Sequence, residues 1–276
     1  MATVTGTSGF RPRTPDMLVG TPRAHALDRW IFVFMAAWYI AIVLAGFIPD
    51  SLMKIGMVQA GQRPPFPLVL HMHAVLMGTF LLLLLAQSWL MATGRRAQHM
   101  NLGIAGLVAA VAIVGVGFVL IPTMYHQSWN AVQAALTPEA QAKAQQGLAF
   151  WDNITLLQIR IGILFPLFLA IGLRARGADA GLHKRMMILA TAMPLPAGID
   201  RIGWLPQTMP GSPLSVDLYT LLAISPMLVW DVARNGRVHR AYWIVLAFYL
   251  PLAIAVHALW DSGWWHSVVP RMMGVE

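Results

Sequence analysis

The sequence predicts an all-α integral membrane protein, a bundle of seven transmembrane helices with the amino terminus inside and the carboxyl terminus outside. Three observations predict it. Hydrophobic residues make up 58% of the 276-residue chain and charged residues 11%, less than half the roughly 25% charged fraction of soluble domains. The apolar residues come in runs near the roughly 20 residues that a bilayer crossing needs, not in the alternation of a β-barrel. The basic residues between those runs are strongly biased to one side. A soluble enzyme and a disordered chain are thereby excluded.

Seven runs qualify: Trp30–Ile48, Pro67–Ala92, Leu102–Ile121, Ile154–Leu173, Met186–Leu205, Leu214–Trp230 and Tyr242–Leu259. They define a membrane domain over residues 30–259, between a cytoplasmic leader (1–29) and an outer-face aromatic tail (260–276). The first run is long and no small-residue cleavage site follows it, so it is expected as a retained span. Arg11, Arg13, Arg23 and Arg29 precede it, and Arg95 and Arg96 follow the second run. Arg174, Arg176, Lys184 and Arg185 separate the fourth and fifth, and Arg234, Arg237 and Arg240 the sixth and seventh. Thirteen of the 19 basic residues thus share one side, against Lys54, Arg63, Lys143 and Arg271 on the other. That asymmetry sets the orientation and fits a multi-pass protein of the bacterial inner membrane. Spread over four short loops, with no single patch interleaved with aromatics, these charges argue against a nucleic-acid partner.

One long outer loop is expected from about Pro122 to Phe150. Within it Thr137 caps a short surface helix on which Glu139 and Lys143 sit four apart. Trp260, Trp264 and Trp265, with His266, form an interfacial aromatic anchor in the tail. The inner turns echo one another: Gly94-Arg-Arg-Ala-Gln-His99, Gly177-Ala-Asp-Ala-Gly-Leu-His183 and Asn235-Gly-Arg-Val-His239 each place a histidine just before an outgoing helix. A helix amino terminus disfavours imidazolium, so these histidines call for a further partner such as lipid phosphate or a metal.

Ionisable groups inside spans are costly and mark functional candidates. His71 and His73 enter with the second run, Asp152, Asn153, Gln158 and Arg160 with the fourth. Asp200 and Arg201 end the fifth, Asp217 and Tyr219 open the sixth, and His257 ends the seventh. All fall in the outer half. Arg160 lies about 10–13 Å deep at 1.5 Å per residue and shares a helix face with Asn153. It needs an anion, for which Asp200 and Asp217 are the candidates. Asp152, Asn153, Arg160, Asp200, Arg201 and Asp217 therefore form either a helix-fastening ion-pair network or a polar cavity for a headgroup, a quinone or a proton path. Pro194 and Pro196 break the fifth helix beside that region.

Cysteine is absent, which excludes disulfides, thiolate metal sites and thioether-attached haem. Histidine is the remaining strong ligand. His71 or His73 and His99 lie about 40 Å apart along the chain's helical path, at opposite membrane faces. Outside, His71 or His73 can face His257. Inside, His99 can face His183 or His239. Two such pairs are what two b-type haems stacked across a bilayer require. A metal site of Zn, Fe or Cu on His71, His73 and His257, with a carboxylate, is the second possibility.

The stretch His71-Met-His73-Ala-Val-Leu-Met77-Gly78, a leucine run, Gly94-Arg-Arg and His99 resembles the core of the two-haem ascorbate-reducible transmembrane cytochromes. The resemblance implies haem ligation by a histidine near one end of a helix and another starting the next. The chain departs from that family in lacking a histidine in its fourth helix and in carrying an extra helix pair. More loosely, it is similar to multi-span bacterial membrane proteins of unassigned activity, on stretches such as His183-Lys-Arg-Met-Met-Ile-Leu-Ala-Thr and Asp231-Val-Ala-Arg-Asn-Gly-Arg-Val-His239. The expected function is a membrane redox protein that binds haem b and exchanges electrons with quinone, another membrane subunit or an outer-face partner. The alternatives are a metal-dependent membrane hydrolase or oxygenase, and a non-catalytic transporter or accessory subunit. No GxSxG, HExxH or phosphate-binding glycine loop supports another enzyme class, and no lysine lies within a span to form a retinal Schiff base.

Overall fold

The described residues form nine α-helices: α1 (Ala26–Gln59), α2 (Leu68–Ala92), α3 (Arg96–Gln133), α4 (Pro138–Ala175), α5 (Ala180–Ala192), α6 (Pro196–Ile199), α7 (Leu214–Asn235), α8 (Arg240–Leu259) and α9 (Gly263–Met272). They are seen in a computed structural model that describes residues 15–21 and 23–275, and no strand occurs among the described residues. Most of the leader, with Arg11 and Arg13, lies outside them. Six helices, α1 to α4, α7 and α8, are long and apolar enough to cross a membrane. Val108, Val111, Phe118 and Leu222 stand among many large apolar side chains that remain exposed. A water-soluble surface does not tolerate that much contiguous apolar area, and a lipid-facing one requires it.

Two expectations need correction. The fifth run is not one rod: α5 starts at Ala180 and stops at Ala192, and after the turn Met193–Leu195 only α6 follows. Pro194 and Pro196 remove two amide donors within one turn and crowd the carbonyls before them, and the helix does not survive it. The outer loop of residues 122–150 is not formed either. α3 continues through Pro122 to Gln133, and α4 begins at Pro138 with Thr137 accepting from the Ala140 amide, 3.2 Å away. A single proline does not end a helix here, since Pro49, Pro122, Pro166, Pro226 and Pro251 all lie inside helices. The predicted surface helix is thus the first part of α4, which at 38 residues spans about 57 Å.

Helices α1 to α5 pack in chain order, each on the next except that α5 follows α4 into the centre and touches α1, α7 and α8 as well. The short α5 is the most enclosed element, with Met186, Ile188, Leu189, Ala190 and Ala192 all buried. Its break redirects α6 onto α1. There Gly46 and Gly198 meet backbone to backbone, so closely that a Cβ on Gly46 would collide with the Gly198 carbonyl. The starts of α1, α3, α5 and α8 share one end of the bundle, the basic end. The starts of α2, α4 and α7, with α9, share the far end.

Candidate functional site

At the basic end two hairpins repeat one construction. His99 and His183 are each the fourth residue of their helix, α3 and α5. The Nδ1–H of His183 donates to the Gly172 carbonyl, 2.8 Å away and 11 residues upstream; that of His99 points to the Gln87 carbonyl, 3.4 Å away and 12 upstream. Gly172 lies in the last turn of α4, where carbonyls have no helical partner, so its bond is the stronger. Its missing side chain also lets α5 approach, because a Cβ there would touch Met186. Both rings are thereby fixed in the tautomer that leaves Nε2 as the free, lone-pair nitrogen. The two rings lie 6.4 Å apart between centroids with planes at 82°. Lys184, Arg96 and Arg176 supply positive potential around them. Of the two inner partners open to His99, it is His183 that lies beside it. His239 instead caps α8, accepting from the Ala241 amide at 3.1 Å, and stands 4.0 Å from Asp16.

At the far end Arg160 finds its anion in Asp217. The guanidinium is bidentate, at 2.5 and 3.1 Å, and the carboxylate also accepts from the Tyr249 hydroxyl at 2.8 Å and meets His257 Nε2 at 3.0 Å. The Tyr249 ring lies 4.9 Å from the guanidinium carbon. Every lone pair of a buried carboxylate is met, which is what makes such an ion pair tolerable away from water. Asp200 is elsewhere. It shares α1's flank with Arg201, which pairs with Asp50 at 3.3 Å, while Lys54 holds Asp50 at 2.7 Å. Asp152 binds the Tyr125 hydroxyl (2.8 Å) and His266 (2.7 Å), and its backbone carbonyl accepts from Trp265 (2.7 Å). Asn153 accepts from the Asp261 amide at 2.9 Å. The six outer polar residues thus fall into three separate groups.

Nor are the outer histidines gathered. His257, engaged by Asp217 of α7, lies on α8, which packs on α4 and α5, whereas His71 and His73 lie on α2, which packs on α1 and α3. His71 is exposed and edge-on to Phe66. Among the described residues no group of three or more His, Asp or Glu side chains is arranged to hold a metal ion.

The sequence concealed a second polar core at the basic end. Arg185, fully buried, grips Asp231 at 2.5 and 2.7 Å and Asp16 at 2.7 and 3.0 Å. Asn235 donates to Asp231 at 2.6 Å and accepts from the Met17 amide at 2.9 Å. Asp28, equally buried, takes Trp230 and Arg234. Burial works against the Asp16 carboxylate, but the Arg185 guanidinium outweighs it and holds the carboxyl below its usual range. Burial, and then Arg185, push His239 down. Counting Arg185 and Arg234 as loop charges hid these pairs. The available signal was Asp28 and Asp231, two carboxylates at the ends of spans on an otherwise basic side. Comparison with known protein families, curated proteins and solved structures finds no match, so function rests on this geometry.

Proposed function

We propose that the protein is a membrane redox protein that holds one b-type haem between His99 and His183. The observation that carries this is the spacing of the two rings. A metal bonded to both imidazoles at about 2.0–2.1 Å, with ~1.1 Å from nitrogen to ring centre, would hold the two rings about 6.3 Å apart; the rings here are 6.4 Å apart. Zinc bound by protein alone needs three or four ligands, and only two are gathered. A haem brings four nitrogens of its own and asks the protein for two. Each Nδ1 is already tied to a carbonyl, the usual orientation of a ligating histidine.

Two further features favour a flat anionic group. On α3, Gly103 and Gly106 fall within about 40° of the His99 face, and a Cβ at Gly106 would meet nothing within 4 Å. Glycine in a helix interior costs about 1 kcal/mol against alanine, so a helix that keeps one where its own chain packs nothing leaves that face open for something else. Arg96 and Arg176 lie near the two rings and would pair with carboxylates, while Lys184 donates to the Leu18 carbonyl. Held by His99 and His183, such a group would supply one-electron transfer. The residues' own tasks are to hold the rings, fix their tautomers and neutralise the acidic groups. Quinone, or a partner at the far end, completes the exchange.

The finer topology belongs to the same proposal: α5 and α6 form a broken seventh passage, the basic end is cytoplasmic, and the membrane is the bacterial inner membrane. The thirteen basic residues on one side support the orientation. The decisive measurement is a reduced-minus-oxidised absorption spectrum of the purified full chain. A b-type band lost in both His99→Ala and His183→Ala but kept in His257→Ala is expected. A colourless protein from haem-replete cells, or a band that survives both inner substitutions, overturns the proposal.

A further inference from the structure

The break at Pro194 and Pro196 has a consequence at the far end. Because α6 leans onto α1, a gap opens between it and α4. The gap is a cleft of about 100 Å³ with Phe150, Trp151, Ile161 and Met209 among its walls and Gln158, Asp200 and Arg201 among its polar lining. That is smaller than the apolar cavity of about 150 Å³ that holds benzene, so a six-membered ring enters with part of it left in the open mouth of the cleft; a tetrapyrrole does not fit. Arg201 has its own carboxylate in Asp50. The side chains of Asp200 and Gln158 have no hydrogen bond to any described residue, although Asp200 is half-buried.

We infer that this cleft, between Gln158 on α4 and Asp200 after α6, is a binding site for the ring of a benzoquinol. The chemistry selects the ligand. Asp200 and Arg201, with Asp50 and Lys54 beside them, sum to zero charge, which favours a neutral headgroup over a phosphate. A carboxylate and an amide carbonyl are acceptors, and a quinol presents two hydroxyl donors across one ring. Aromatic and aliphatic walls suit its faces. The inference deepens the redox proposal by naming the quinone site, but binding itself does not require haem.

The test is a calorimetric titration of a decyl-substituted benzoquinol into the full-length protein in nanodiscs made of a zwitterionic lipid. Saturable one-to-one binding is expected. Gln158→Leu should weaken it about tenfold, the loss of one good hydrogen bond. Asp200→Asn, the conservative second variant, should weaken it less, and Ala197→Phe, which fills the cleft, should abolish it. Trp243→Leu, on a separate lipid-facing groove, should leave affinity unchanged. No saturable binding, equal affinity in Ala197→Phe, or full displacement by an anionic phospholipid overturns the inference. Quinol binding by a protein without a b-type band would leave the cleft standing and remove the haem.

Discussion

His183 and Gly172 are tied by a 2.8 Å hydrogen bond across the α4–α5 turn, and His99 repeats the tie more weakly to Gln87. The inequality predicts an ordering. Gly172→Ala pushes a methyl into Met186 and shifts the carbonyl that orients His183. The b-type band should then broaden or shift without vanishing, whereas His183→Ala removes it. A spectrum of Gly172→Ala identical to that of the unmodified chain would show that the carbonyl plays no orienting part.

Arg160 and Asp217 predict a stability signature. Removing one member of a buried pair leaves the other charge uncompensated, a cost of about 3–5 kcal/mol, while replacing both by apolar residues of similar size is often neutral. Arg160→Met or Asp217→Leu alone should therefore lower the unfolding midpoint in detergent sharply, and the double variant should recover most of the loss. Because the pair is remote from His99 and His183, any haem spectrum should persist in the double variant. Additive losses in the two single variants would mean the side chains act separately.

Much of this was legible in the residues. Apolar run length gave six of the helices, and the depth of Arg160 demanded the anion that Asp217 supplies. What composition does not carry is direction. Asp200 and Asp217 were equal candidates until the paired prolines turned α6 toward Gly46, taking Asp200 to Asp50 and Lys54. The end of the apolar run at Ile121 misplaced the end of α3, because the helix carries on through Pro122 into polar residues such as Thr123, His126 and Gln127, one missing amide being absorbed where two in a turn are not. His183 and His239 looked alike as pre-helix histidines. Only their register, fourth residue against cap, decides that one faces His99 and the other its own helix. Arg185 was hidden because a basic residue near a span end is ordinarily a solvated topology marker, and its two carboxylate partners come from 169 and 46 residues away.

His266 makes the far-end tail sensitive to pH. Burial disfavours its charged form, but the hydrogen bonds to Asp152 and Asp261 outweigh that and hold the imidazole above its ordinary value of 6.5. A raised folded-state pKa means the stabilisation is complete below that ordinary value and is lost as pH rises through the folded one. Protection of α9 amides from hydrogen exchange, corrected for intrinsic rates, should therefore fall as pH rises above about 6.5. His266→Gln should flatten the profile. Unchanged protection across that range in the unmodified chain would mean that Trp265 and Asn153 hold α9 without help from the charge.

Gly46 and Gly198 provide the sharpest test of how the broken passage is seated. Their backbones meet at the α1–α6 crossing, and added volume cannot be relieved by a rotamer because the obstructing atoms are main chain. Gly46→Leu should drive α1 from α6, destabilise the protein strongly and disturb the cleft beside α4. Gly56→Leu, farther along the same helix with nothing within 4 Å of its would-be Cβ, should be nearly silent. The chain lacks cysteine, so Ala197→Cys can be labelled uniquely, and its accessibility to a membrane-impermeant maleimide should change in the Gly46→Leu background and not in Gly56→Leu. Equal labelling in both would place α6 away from α1 and refute the crossing.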